Sequence, residues 1–195
     1  ERQTAGRGQR GHSWTSAEGE NLTFSLVLEP RFLPVGEQFL LSEAVALALT
    51  DTFADFGIDT RIKWTNDIYV GDRKLVGLLI EHSYTGPALP NPVSMALAAC
   101  RTFDREEVLE RFRTHCAARY ALLERGDADT LQRDYRARMY RLETPHPYRL
   151  PDGSLFTAAI EGVRPSGELL LRHADGTLRA YLFREVEFVI DRPVR

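Results

Sequence analysis

Residues 60–80 read Thr60-Arg61-Ile62-Lys63-Trp64-Thr65-Asn66-Asp67-Ile68-Tyr69-Val70-Gly71-Asp72-Arg73-Lys74-Leu75-Val76-Gly77-Leu78-Leu79-Ile80. Thr60 to Trp64 is a short strand with Ile62 and Trp64 on one face, so Lys63 points the other way. Thr65-Asn66-Asp67 breaks it. Ile68-Tyr69-Val70, Gly71-Asp72 and Lys74 to Ile80 then read as strand, tight turn and strand, a β-hairpin. The second strand is apolar almost throughout, which predicts a central place in a sheet.

Upstream, Pro34 opens a helix predicted to run to about Phe56. Phe39, Leu40, Leu41, Val45, Leu47, Leu49, Phe53 and Phe56 wrap much of its circumference, the pattern of a helix mostly buried against a sheet. Gly57 is its stop signal. Earlier still, Asn21 to Leu28 places Leu22, Phe24 and Leu26 on one face and predicts a strand ended by Pro30. The first fourteen residues alternate glycine with arginine or glutamine and close on Trp14. Arg2, Arg7 and Arg10 against Glu1 make this run locally positive in a chain of net charge -3. Gly6, Gly8 and Gly11 allow close backbone approach to a ligand, and guanidinium forks suit carboxylate or phosphate. A solvated, flexible loop has the same composition.

Downstream, His82 to Pro92 is an irregular connection containing three prolines. Asp104 and Glu107 form a capping box ahead of a helix with Val108, Phe112, Cys116, Tyr120 and Leu123 on one stripe. Gly126 ends it. Asp129 and Gln132 read as a second capping box, followed by Leu131, Tyr135 and Met139 at spacing four. From Pro145 the pattern changes. Pro151-Asp152-Gly153, Pro165-Ser166-Gly167 and Ala174-Asp175-Gly176 are turn signals between five short strands, which predicts a small β-barrel of SH3-like size. The expected fold is α/β (α+β), a mixed sheet flanked by helices over residues 1–143 with the barrel over 144–195.

Apolar residues make up 43% of the 195, and charged residues 27% in near balance, the composition of a globular chain with a core. A pI of about 6.0 argues against a dedicated nucleic-acid surface. No apolar run approaches the roughly 18 residues that span a bilayer. Cys100 and Cys116 are not in a CxxC arrangement, so a reducing, cytoplasmic setting is expected. The five histidines lack ligand spacing, and no structural metal site is expected.

Three segments then stand together: Gly6-Arg7-Gly8-Gln9-Arg10-Gly11-His12-Ser13-Trp14, Lys63-Trp64-Thr65-Asn66-Asp67-Ile68, and Lys74-Leu75-Val76-Gly77-Leu78-Leu79-Ile80-Glu81. Their order, spacing and β-rich tail resemble the biotin protein ligases, the biotin–[carboxylase] ligase family. That family carries a Gly-Arg-Gly-x-x-Gly-x-x-Trp loop, a Lys-Trp-Pro-Asn-Asp strand end and a Lys-hydrophobic-x-Gly strand closing on Glu. The resemblance implies a class II synthetase-like catalytic fold ending in an SH3-like domain. It implies that biotin's carboxylate attacks the α-phosphate of ATP, with Mg2+ as cofactor, giving biotinyl-5′-AMP and pyrophosphate. A lysine of a biotin carboxyl carrier protein then attacks the mixed anhydride and AMP leaves.

On this resemblance Gln3, Gly6, Arg7, Gly8 and Gln9 line biotin and its carboxylate. Lys63 matches the lysine bridging that carboxylate and the phosphate, with Arg7 as a second catalytic cation. Arg7, Arg10, Trp14, Lys63 and Asn66 fall to the adenylate. Trp14 packs over the adenine or anchors the loop. Asn66 and Asp67 orient Lys63 or hold magnesium, or else Asp67 caps the turn before the hairpin. Gln9 stands where many members have arginine, and Thr65 where they have proline. The family's upstream Ser/Thr-rich biotin turn and its Gly-x-Gly-x-Asn strand have no counterpart here. The expectation is that the sequence joins pieces of a longer protein, with residues omitted between Ser83 and Leu89. A related lipoate or octanoate ligase and a non-catalytic biotin-binding module are the alternatives. A homodimer is left open; membrane and DNA are not expected as partners.

Overall fold

The run after Pro34 folds as expected from its all-round apolar character. A 3-10 turn at Val35–Glu37 leads into helix α1, Phe39–Asp55, whose Leu40, Ala44, Leu47 and Phe53 are buried along with Ser42, Thr50 and Thr52. The computed structural model describes residues 6–7, 13–14, 21–78, 80 and 95–190. Of the opening run it gives two short strands, β1 (Gly6–Arg7) and β2 (Ser13–Trp14), which pair antiparallel. The connection between Ser83 and Leu89 lies outside the described residues.

Two buried hydroxyls on α1 donate within the helix: Thr50 to the Leu47 carbonyl at 2.8 Å and Thr52 to that of Ala48 at 2.7 Å. Glu43 differs. It is fully buried, and among the described residues its Oε2 has no hydrogen-bond partner. Burial pushes its carboxyl up to about 8, so it holds a proton at neutral pH.

Helix α2 is the short Met95–Ala99, followed by α3 (Arg105–Glu124) and α4 (Ala128–Ala137). Asp104 caps α3 by accepting the Glu106 N–H at 2.8 Å, while Glu107 pairs with Arg111 instead of closing a capping box. The cap of α4 is Asp127, which accepts the Thr130 N–H at 3.3 Å, and not Asp129. Gly126 turns the chain at φ 74, so Asp127 is already in capping position when the new helix starts. Val108, Phe112, Cys116 and Leu123 of α3 and Leu131 and Tyr135 of α4 form the buried stripes. They pack on α1.

One ion-pair network ties the three helices. Arg119 of α3 donates to Asp51 of α1 at 2.7 Å and to Asp134 of α4 at 2.6 Å, and Arg138 donates to Asp51 and Thr50. Burial raises the Asp51 pKa, but the two guanidinium groups more than offset it and hold the carboxyl below its ordinary value.

The predicted strand at 21–28 does not form; the segment runs without a ladder, with Leu22, Phe24, Leu26 and Val27 exposed. Its alternation supplies an apolar face, but a strand also needs backbone to pair with. This segment meets a side chain of α3 instead: Phe24 packs on Phe112.

The decisive stretch forms β3 (Arg61–Lys63), β4 (Asp67–Val70) and β5 (Arg73–Val76), an antiparallel sheet in the order β3-β4-β5. Gly71, at φ 54, makes the hairpin turn. Among the described residues β5 is an edge strand and stops at Val76, so β4 holds the central place predicted for the second hairpin strand. The free side of β3 is closed by residues 138–140: Ile62 donates to the Arg138 carbonyl at 2.8 Å and accepts from Tyr140 at 2.9 Å. Ile62 and Ile68 pair in register and are fully buried towards α1.

The tail contains β6 (Pro145–Arg149), β7 (Leu155–Val163), β8 (Leu169–His173), β9 (Leu178–Tyr181) and β10 (Glu187–Phe188). They form one antiparallel sheet in the order β9-β8-β7-β6-β10, and the described ladders do not close it into a barrel. Glycines 153, 167 and 176 sit at the predicted turns with positive φ. The architecture is a mixed α/β fold. Among the described residues no helix is long and apolar enough to cross a membrane.

Two outcomes are expected. Arg119→Met keeps the alkyl packing but removes the charge shared by α1, α3 and α4. Urea denaturation at neutral pH should show a loss of about 2 kcal/mol. Glu43→Leu should stabilise more at pH 8 than at pH 5. A buried carboxyl whose folded pKa lies above its unfolded value adds nothing below about pH 4.5. It then costs roughly 1.4 kcal/mol per pH unit until the folded group titrates near pH 8. Equal gains at both pH values would refute this.

Candidate functional site

Strand register puts the chemistry on one face. Lys63 is opposite Asp67 and Tyr69 opposite Lys74, so these four side chains share the side of the sheet turned away from Ile62 and Ile68. Lys74 is 1% exposed and forms an ion pair with Asp67. The Lys63 ammonium lies 4.7 Å from the centre of the Phe188 ring and 5.7 Å from that of Tyr69, so β10 of the tail roofs it.

Burial pushes both lysines below the ordinary ammonium range, and the Asp67 charge opposes it in each case. The two ammonium groups also lie close enough to disfavour each other's charge. Asp67 is thus the near carboxylate for two covered cations; Glu187 adds a further, exposed one on the Lys63 side. Two covered ammonium groups thus share one near carboxylate, Asp67.

The segment between β3 and β4 is held from outside the hairpin. Trp64 is buried and its Nε1–H donates to the Gly167 carbonyl at 2.9 Å. The Tyr135 hydroxyl donates to the Thr65 carbonyl at 2.5 Å. The Trp64–Thr65 peptide is cis. Asn66 is buried and its side-chain oxygen accepts from the Thr65 hydroxyl at 3.1 Å. Tyr140 and Arg141 engage Asp72 at the hairpin tip, and Arg141 also donates to the Val189 carbonyl at 2.9 Å.

The structure therefore brings Lys63, Asn66 and Asp67 together. Among the described residues the Asp67 carboxylate pairs with Lys74. For Gly6, Arg7 and Trp14 the described backbone places them in the β1–β2 ladder. Gln3, Gly8, Gln9 and Arg10 lie outside the described residues. Lys74 and Tyr135 contact this cluster and were not singled out by the motif reading. The signal for Lys74 was a lone cation in an otherwise apolar strand. Tyr135 gave none beyond its place in a core stripe. Among the described residues no three His, Cys, Asp or Glu side chains converge on a metal position. Asp67 itself faces an ammonium, so these residues do not form a cage for Mg2+.

A model of the biotin/lipoate A/B protein ligase family matches residues 1–91. The biotin–[acetyl-CoA-carboxylase] ligase of Paracoccus denitrificans is 31% identical over 202 residues, covering 89% of this chain and 82% of that protein. The bifunctional ligase/repressor BirA of Escherichia coli is 39% identical over 82 residues, 42% of this chain and 25% of that protein. The chain thus spans about a quarter of the length of the BirA proteins it matches. The biotin protein ligase of Aquifex aeolicus, solved with biotin and ATP, superposes with a TM-score of 0.79 at 22% identity, covering 96% of this chain and 87% of that one. At that identity the likeness is one of fold.

Replacing Asp67 tests the ion pair directly. Asp67→Ala leaves the Lys74 ammonium covered and without its carboxylate, and should cost about 3–5 kcal/mol of stability. The double variant Asp67→Ala/Lys74→Met should recover most of it. Additive losses in that thermodynamic cycle would mean the two groups do not interact.

Proposed function

We propose this chain's activity from one premise: it belongs to the biotin–[acetyl-CoA-carboxylase] ligase family. The activity is ATP-dependent biotinylation. Biotin's carboxylate attacks the α-phosphate of ATP, biotinyl-5′-AMP forms and pyrophosphate leaves. A lysine amine of a biotin carboxyl carrier protein then attacks the mixed anhydride and releases AMP. The observation that carries this is the covered cation pair Lys63 and Lys74 beside the single near carboxylate of Asp67.

The first step brings a carboxylate against a polyanion, and charge grows on the phosphoryl oxygens. Preorganised cations in a water-poor setting lower that barrier more than they would in water. Lys63, roofed by Phe188 and Tyr69, takes the leading role. Lys74, tied to Asp67, adds field from the side. Arg7, in β1, is assigned as a further cation. Gln3, Gly6, Gly8 and Gln9 are assigned to biotin, Arg10, Trp14 and Asn66 to the nucleotide. Mg2+ would travel with the nucleotide, and no step is assigned to it. Residues 1–143 are the catalytic, class II synthetase-like part and 144–195 an SH3-like part. The setting is the cytoplasm.

Incubation with ATP, biotin and a carrier domain, read by streptavidin blot, tests the activity. Labelling with biotin is expected; labelling only with lipoate or octanoate, or none at all, refutes the assignment. Lys63→Ala should lower the rate by the equivalent of about 2–4 kcal/mol while keeping the fold, and Lys74→Ala by less. Unchanged turnover in Lys63→Ala would remove it from the mechanism.

A further inference from the structure

Tyr135 sits in the core stripe of α4, 1% exposed, with its ring edge-on to Phe39 at 5.9 Å. Its hydroxyl has a specific task, donation to the Thr65 carbonyl. Next to it in sequence, Trp64 is anchored on Gly167 in the β7–β8 turn. The loop of contacts closes through Phe39: a Cβ placed on Gly167, at φ 93, would lie 2.9 Å from Phe39 Cδ2. Two consecutive residues between β3 and β4 are thus fixed by α4 and by the tail. Only the buried Asn66 separates them from Asp67.

We propose that Tyr135 is a positioning residue of the ligase reaction: its hydroxyl, acting through the Thr65 carbonyl, sets the orientation of Asp67 and so of the Lys74 ammonium. This role presupposes the activity proposed above. The chain from hydroxyl to ammonium runs Tyr135, Thr65, Asn66, Asp67, Lys74, and every link is a covalent neighbour or a hydrogen bond or ion pair in the structure. A tyrosine needed only for packing would serve as well without its hydroxyl. Here the ring is held by Phe39 and the hydroxyl by the turn, so the two contributions separate.

Tyr135→Phe performs that separation. Two half-reactions are measured on the whole protein: biotin-dependent ATP–pyrophosphate exchange, and transfer from supplied biotinyl-5′-AMP to a carrier domain. The exchange kcat should fall about tenfold, the loss of one well-placed hydrogen bond, while the KM for biotin and the transfer rate stay within about twofold. Trp64→Phe, which removes the second anchor's N–H but keeps an aromatic side chain, should lower the same parameter. Tyr148→Phe is the control. Its buried hydroxyl has no hydrogen-bond partner among the described residues, so both half-reactions should keep their rates. Unchanged exchange in Tyr135→Phe, equal loss in both half-reactions, or loss of the folded state would each overturn the positioning role. No exchange by the unsubstituted protein would refute the ligase activity itself, a separate result.

Discussion

A lysine ammonium is stable away from water only against a carboxylate, and Asp67 meets that condition for Lys74. Much of the hairpin's geometry follows from this requirement. β4 must begin at Asp67 for its carboxylate to share a face with Lys63 and Tyr69. β5 must pair so that Lys74 falls opposite Tyr69, which the register irregularity at Ile68/Tyr69 accommodates. The opposite face is then free to bury Ile62 and Ile68 against α1. One face makes core, and the other collects charge.

That charge is covered by the tail. Phe188 lies over Lys63, Gly167 accepts from Trp64, and Phe183 stands edge-on to the Trp64 indole. The C-terminal sheet is therefore a wall of the site as well as a separate run of strands. Its Phe188 helps desolvate Lys63 and so strengthens that field. Its contacts also bind the turn that carries Asn66 and Asp67. The helices hold the other side through Tyr135 and the Asp51–Arg119–Asp134 network. The charged face is preorganised: the energy of folding has already gathered the like charges.

Elements with short-range causes were legible beforehand. Gly57 and Gly126 stop helices because they accept positive φ, and Asp104 caps because its carboxylate reaches an N–H two residues on. The tail strands between Gly153, Gly167 and Gly176 follow for the same reason. The failures have a common cause. Residues 21–28 alternate like a strand, yet a strand exists only when another backbone pairs with it. Asp127 displaced Asp129 as cap because the exit from the previous helix decides where the next one starts. The pairing of Asp67 with Lys74, seven positions later and across the hairpin, was likewise out of reach of local pattern.

By itself the sequence determined the helices, the hairpin, the turn-rich tail and the motif order, since periodicity, caps and glycines act over a few residues. It also determined the family, since the loop and hairpin motifs occur in order. Only the tertiary structure decided which lysine is tied to a carboxylate, which edge of the sheet is closed by residues 138–140, and that Tyr135 holds the turn ahead of Asp67. Those outcomes depend on where a backbone carbonyl or a carboxylate ends up after distant segments pack, and burial then sets the strength of each charge.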